Sequence, residues 1–172
     1  MTLTLTDTVV NPNDVSFNLS GFMFTLAGAT GGTLVSSSGL ERTVAANGTY
    51  TNGSTVATGW LFSASSGTFT LNDLGGAGPA HTLIGSPDGS NVYSNANPSI
   101  KGNGPHNPFL ANTITFNFTF TGGVSSTSTP TNIQFQFGTA PGFSSNVPEP
   151  LSLSLVGGGL IALGLFRKHF SS

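Results

Sequence analysis

Ile114, Phe116, Phe118 and Phe120 alternate without a break with Thr113, Thr115, Asn117, Thr119 and Thr121, and that period of two admits one secondary structure. A helix would scatter the rings around its axis. A strand puts all of them on one face and the polar residues on the other, so the chain must supply a second apolar surface to cover them. Ile133, Phe135 and Phe137, alternating with Asn132, Gln134 and Gln136 beyond a Gly122 to Pro130 loop, offer one. The two segments are predicted to pair as an antiparallel hairpin with these seven large apolar side chains inward. Burying them contributes on the order of 10 to 20 kcal/mol before conformational entropy is subtracted.

Shorter strands are predicted on either side of long polar stretches. Thr2-Leu3-Thr4-Leu5-Thr6 alternates as a half-buried strand. Val15, Phe17 and Leu19 alternate after an Asn11-Pro12-Asn13-Asp14 turn, and the parity shifts at Gly21 to Phe22, Phe24 and Leu26, as at a β-bulge. Gly28 to Gly39, rich in Gly, Ser and Thr, reads as a loop around at most one short strand at Leu34-Val35. Asn47-Gly48 and Asn52-Gly53 each suit a tight turn, with strands before Asn47 and from Ser54 to Ala64, and Trp60 and Phe62 on one face of the latter. Phe69 and Leu71 mark another short strand. From Gly75 to Phe109 breakers dominate, yet Leu83, Ile84, Val92, Tyr93, Ile100 and Phe109 predict an excursion anchored on the domain.

Many short strands and no helical period before residue 141 predict an all-β fold. The expected form is a single antiparallel β-sandwich of jelly-roll type over residues 1–140, followed by a Pro-containing linker at 141–150 and one C-terminal transmembrane helix within 151–172. Only 6% of residues are charged, so hydroxyls and amides must hydrate the surface. Before Val147, Arg42 and Lys101 stand against Asp7, Asp14, Glu41, Asp73 and Asp88. That balance argues against nucleic acid and anionic headgroups as partners, since both need clustered cations. The absence of cysteine does not decide the compartment.

The C-terminal segment is of another kind. Pro148 and Pro150 bias Val147 and Glu149 toward extended geometry and make a stiff spacer. Residues 151–166 carry no charge, and a helix over them would span roughly 24 Å, a marginal crossing of a ~30 Å hydrocarbon core. Arg167 and Lys168 then read as a cytoplasmic stop, with the preceding domain outside. The competing reading, a buried C-terminal helix of the domain core, would want polar residues on one face, and none occur between Val156 and Phe166.

Val147-Pro148-Glu149-Pro150, the short Gly-rich apolar run and the terminal basic pair together resemble the PEP-CTERM sorting signal, a segment also known as the ice-binding protein C-terminal domain. The resemblance covers about the last two dozen residues and implies an exosortase-type membrane enzyme as partner. It further implies cleavage near the motif and delivery of the ectodomain to the cell surface or an extracellular polysaccharide matrix. In that reading Pro148, Glu149 and Pro150 are recognised, residues 151–166 lie in the bilayer, and Arg167 and Lys168 hold the end inside. The pattern pairs such a tail with an N-terminal signal, whereas Met1 to Val10 lacks a basic and apolar leader; a leader is expected upstream of Met1.

Chemistry-bearing residues are sparse. No nucleophile elbow, Walker loop or His-Glu-x-x-His motif occurs, and neither a cofactor nor a metal is expected. His81 and His106, with Asp73 or Asp88, are the groups a hydrolase could use, though no spacing supports one; packing roles are expected for both histidines. Asp88-Gly89-Ser90-Asn91 offers oxygens suited to Ca²⁺ but reads as a turn. The sequons at Asn18, Asn47, Asn52 and Asn117 are those expected by chance in such a composition. Three functions remain: a non-enzymatic surface or matrix protein, a carbohydrate-binding module using Trp60, Tyr50 and Tyr93 as aromatic platforms, and a hydrolase. Thr113, Thr115, Thr119 and Thr121 form one row, short of the flat array that ice binding would demand, and read as a solvated face.

Overall fold

A computed structural model of the chain describes residues 1–142. The Val147-Pro148-Glu149-Pro150 segment, the expected transmembrane helix and the basic pair Arg167-Lys168 lie outside the described residues. Among the described residues the fold is all-β, and no helix is long and apolar enough to cross a membrane. The strands are β1 (Thr2–Thr6), β2 (Leu19–Leu26), β3 (Ala29–Val44), β4 (Tyr50–Val56), β5 (Leu61–Ser65), β6 (Thr68–Asn72), β7 (Leu83–Ile84), β8 (Phe109–Gly122) and β9 (Pro130–Phe137).

One curled sheet contains all nine strands, in the order β4-β3-β8-β7-β2-β6-β5, with β1 added on β8 and β9 on β2. The curl sets β1, β8, β3 and β4 against β9, β2, β6 and β5, with β7 closing the corner. Facing rings fill the gap: Phe69 of β6 stands 4.8 Å from Phe120 of β8, and Phe24 of β2 stands 6.1 Å from Phe118 of β8. This sandwich-like layering matches the expectation, but two features depart from an antiparallel jelly roll. The nine strands form one hydrogen-bonded sheet rather than two, and β7 runs parallel to β8.

Three local expectations are corrected. First, the hairpin does not form: β8 pairs with β3 and β1, whereas β9 pairs with β2. Two phenylalanine faces cover each other better from opposite walls than side by side in one, and the intervening loop is long enough to cross. Second, the Gly28 to Gly39 stretch lies almost wholly in β3, the longest strand, in register with β8 from Ala29↔Gly122 to Arg42↔Phe109. Its small residues are a packing requirement: a Cβ on Gly32 would meet Phe120 at 2.8 Å and Phe69 at 3.0 Å, and one on Gly39 would meet Ile114 at 2.9 Å. Third, Asn52-Gly53 is no turn but lies within β4, where the register against β3 shifts between Leu40 and Arg42.

Other expectations hold. Asn47-Gly48 turns, with Gly48 at φ 85° and the Ala45 N–H bonded to the Thr49 carbonyl at 2.8 Å. The parity break at Gly21 coincides with a register shift between Leu19 and Gly21 in the β2–β9 ladder, although Val15–Phe17 forms a single 3-10 turn capped by Asp14 rather than strand. The excursion from Gly75 to Phe109 is anchored as predicted by Ile84, Tyr93, Ile100 and Phe109, joined by Ala96, Val15 and Val44 in a second apolar cluster beside the main core, while Leu83 packs into that main core.

Candidate functional site

The three aromatics expected as a binding platform do not form one. Trp60 is 3% exposed, in the main core against Phe116, with its indole N–H donating to the His81 carbonyl at 3.0 Å. Tyr93 is fully buried. Tyr50 is half-buried; the Arg42 guanidinium lies 4.2 Å from its ring centroid and Tyr93 meets it edge-on. A ring used for internal packing has no face left for a sugar, because the second cluster had few other large apolar groups with which to fill its volume.

Tyr50 and Tyr93 instead enclose Arg42, a cation 7% exposed with no carboxylate in contact among the described residues. Its Nη1 donates to the Tyr93 hydroxyl at 2.9 Å and to Asn112 Oδ1 at 3.0 Å, and its Nε to Asn52 Oδ1 at 3.0 Å. The Tyr93 hydroxyl passes its own proton to the Gly85 carbonyl at 2.8 Å. Burial pushes the phenol pKa up, against the pull of Arg42, so the tyrosine remains a neutral donor. Neutral acceptors and a π face thus satisfy the charge, a structural use of arginine that leaves no base to activate a substrate.

Asp73 was a sequence candidate for catalysis. It is fully buried, both its oxygens lack a partner, and burial alone pushes its pKa from 3.8 to about 7. Its N–H bonds the Ser20 carbonyl at 2.8 Å, carrying the β2–β6 register one pair beyond Gly21↔Asn72, so its side chain shares the core face with Leu71. Trp60, one residue before the Leu61 partner of Asn72, stands beside it across the β5–β6 ladder. The Asp7 carboxyl is 8% exposed, and burial raises it to about 6 despite hydrogen bonds from the Val9 and Gly85 N–H groups. It borders a cavity of about 180 Å³ walled by Val9, Leu19, Phe135 and Phe137, which holds no second ionisable group.

The remaining candidates stay apart. His81 meets Glu41, which the sequence reading had not singled out, at 3.3 Å, and no hydrogen bond joins it to Asp73, Asp88 or His106. His106 bonds through Nδ1 to the Ser99 carbonyl at 2.6 Å. Asp88 accepts from the Ser94 hydroxyl and the Val92 and Ser90 N–H groups, which hold its pKa below the usual range; the loop's own donors occupy the oxygens a Ca²⁺ ion would need. Among the described residues no three His, Cys, Asp or Glu side chains converge on one point.

What the sheet does assemble is a polar face. Thr2, Thr4 and Thr6 of β1 stand opposite Asn117, Thr115 and Thr113 of β8, and Ser36, Ser38 and Thr33 of β3 stand opposite Asn117, Thr115 and Thr119. The Thr2 hydroxyl donates to Asn117 Oδ1 at 2.7 Å and Asn117 Nδ2 to the Ser36 hydroxyl at 3.0 Å, a chain across three strands. The single threonine row of the sequence reading is therefore one line of a three-strand surface that carries no charge. Compared with known proteins, the chain matches no family model, no curated protein and no solved structure.

Proposed function

We propose that the chain is an exported, non-enzymatic surface or extracellular-matrix protein whose last residues are a PEP-CTERM-type signal for exosortase-dependent sorting. The observation that carries the reading is the order Val147-Pro148-Glu149-Pro150, an uncharged apolar run over 151–166, and Arg167-Lys168. In this reading the run enters the bilayer, the basic pair stops it at the inner face and the motif is presented outside for cleavage, leaving the all-β domain in the envelope and then at the surface or beyond it. The uncharged hydroxyl and amide face of β1, β8 and β3 supports a place within a hydrated extracellular polysaccharide, because such groups exchange hydrogen bonds with water and sugar at little net cost. The carbohydrate-binding alternative loses its support, since Trp60 and Tyr93 are buried.

The test is to express the full gene, with its upstream coding region and a C-terminal tag, in a host that carries an exosortase. Loss of the tag with the domain at the surface is expected, and retention of the tag in a Pro148→Ala, Pro150→Ala variant. An uncleaved product inside the cell, made from a gene with an intact leader, would overturn the reading.

A further inference from the structure

The turn-rich segment from Asp73 to His81 lies against the tryptophan, and each of its ends carries an ionisable side chain. At its far end His81 ties four segments together. Its N–H donates to the Pro108 carbonyl at 2.9 Å, its carbonyl accepts from the Trp60 indole, Nδ1 lies 3.0 Å from the Thr58 carbonyl and Nε2 lies 3.3 Å from Glu41 Oε1. Its φ of 68° is the left-handed region, which a non-glycine residue occupies only where its surroundings hold it there. A carbonyl and a carboxylate are both acceptors, so both ring contacts are hydrogen bonds only when the imidazole–carboxylate pair holds one proton more than neutral His81 with ionised Glu41. At its near end the Asp73 carboxyl is buried one pair beyond Leu61↔Asn72, on the side of the β5–β6 ladder from which Trp60 leads, with no donor to either oxygen among the described residues, an arrangement that tolerates the protonated form and penalises the ionised one.

We propose that the 73–81 segment is a proton-operated clasp over Trp60, closed in mildly acidic medium and loosened as the pH rises through neutrality. The proposal does not depend on the sorting reading. The charged groups that bear on it are few: Glu41 from β3 is the one ionisable partner in contact with His81, and no charged side chain contributes to the upward shift of Asp73. Arg42, next to Glu41 along β3, is turned into the second cluster and occupied by Asn52, Tyr93 and Asn112. Burial places the Asp73 transition at about 7, while the His81 end rests on geometry: with one proton fewer on the imidazole–carboxylate pair, only one of its two ring contacts can be a hydrogen bond. Release at His81 frees the Thr58 strap and the indole partner together.

Trp60 is the single tryptophan of the chain, so its fluorescence reports the clasp directly. In the full chain, acrylamide quenching of that emission is expected to rise about threefold or more between pH 5 and 8, while the far-ultraviolet circular dichroism stays that of the folded sheet. Glu41→Gln supplies an N–H to a neutral His81, and Asp73→Asn removes the ionisation at the other end; the double variant is expected to stay closed, with flat quenching over the same range. Quenching that is flat in the unsubstituted chain, or that rises equally in the double variant, overturns the proposal. A rise accompanied by loss of the sheet signal overturns it as well, since that is global unfolding.

Discussion

The two apolar clusters are built on different physics. In the main core, strands present phenylalanines at period two and the rings contact one another: Phe24 lies 5.3 Å from Phe22 and from Phe69, and 6.4 Å from Phe120. Burial area alone stabilises such a core, and a neighbour can shift to fill part of a gap. In the second cluster, Tyr93, Ala96 and Ile100 come from irregular chain, and polar groups determine where that chain runs. Asn107 Oδ1 takes the Val44 N–H at 2.8 Å, the Ser99 hydroxyl takes the Val15 N–H at 2.9 Å, and Arg42 holds Tyr93. The difference teaches that a low-charge chain can order a long excursion with buried hydrogen bonds where it has no strands to spend on it.

The largest expected effect tests the first cluster. Phe24→Ala removes a fully buried ring that touches four others and should cost about 3–5 kcal/mol in denaturant unfolding, whereas in the second cluster the aromatic contact is the Tyr50–Tyr93 pair. Next comes pH, which acts through the buried Asp7 near the Tyr93 side of the fold. Its folded pKa, about 6, is raised above the 3.8 of the free group, so its contribution is fully present below pH 3.8 and is lost as the pH rises through 6. Unfolding free energy should fall by on the order of 2–3 kcal/mol over that window, and Asp7→Asn, which can still accept from the Val9 N–H, should flatten that part of the slope.

Tyr93→Phe sharpens the comparison from the other side. It changes almost no apolar area but strands the Gly85 carbonyl and one Arg42 donor, and should cost about 1–3 kcal/mol in the same measurement. A loss below about 0.5 kcal/mol would mean that the second cluster also rests on area and that the contrast is false. The smallest effect belongs to the polar face: Thr119→Ala should change stability by no more than about 0.5 kcal/mol, because its hydroxyl is exposed and has no protein partner among the described residues.

How much of this was legible depends on whether a residue's role is set by its neighbours in the chain or by those across the sheet. The β8 and β9 strands, the Gly48 turn and the Gly21 irregularity are local matters of parity and turn chemistry. β3 was missed because its glycines and serines answer to the Phe120, Phe69 and Ile114 side chains brought against them, and nothing within the stretch itself records those rings. Trp60 and Tyr93 stood both as packing residues and as possible binding platforms for the same reason, since an aromatic residue in a polar stretch reads alike whether it faces water or a core. Arg42 and Glu41 were visible only as charges. Their arrival at Tyr93 and His81 depends on pairings separated by tens of residues.

The sequence by itself determined that the domain is all-β, that it is nearly uncharged, and that its last two dozen residues carry a Pro-Glu-Pro tripeptide, an apolar run and a basic pair, because alternation, composition and linear order are properties of consecutive residues. Tertiary structure alone decided which strands pair, that nine of them lie in one curled sheet, and that the His81 carbonyl receives the indole of the single tryptophan. Those outcomes follow from which surfaces exclude water best when all are available at once, and that competition is settled only when the chain has folded.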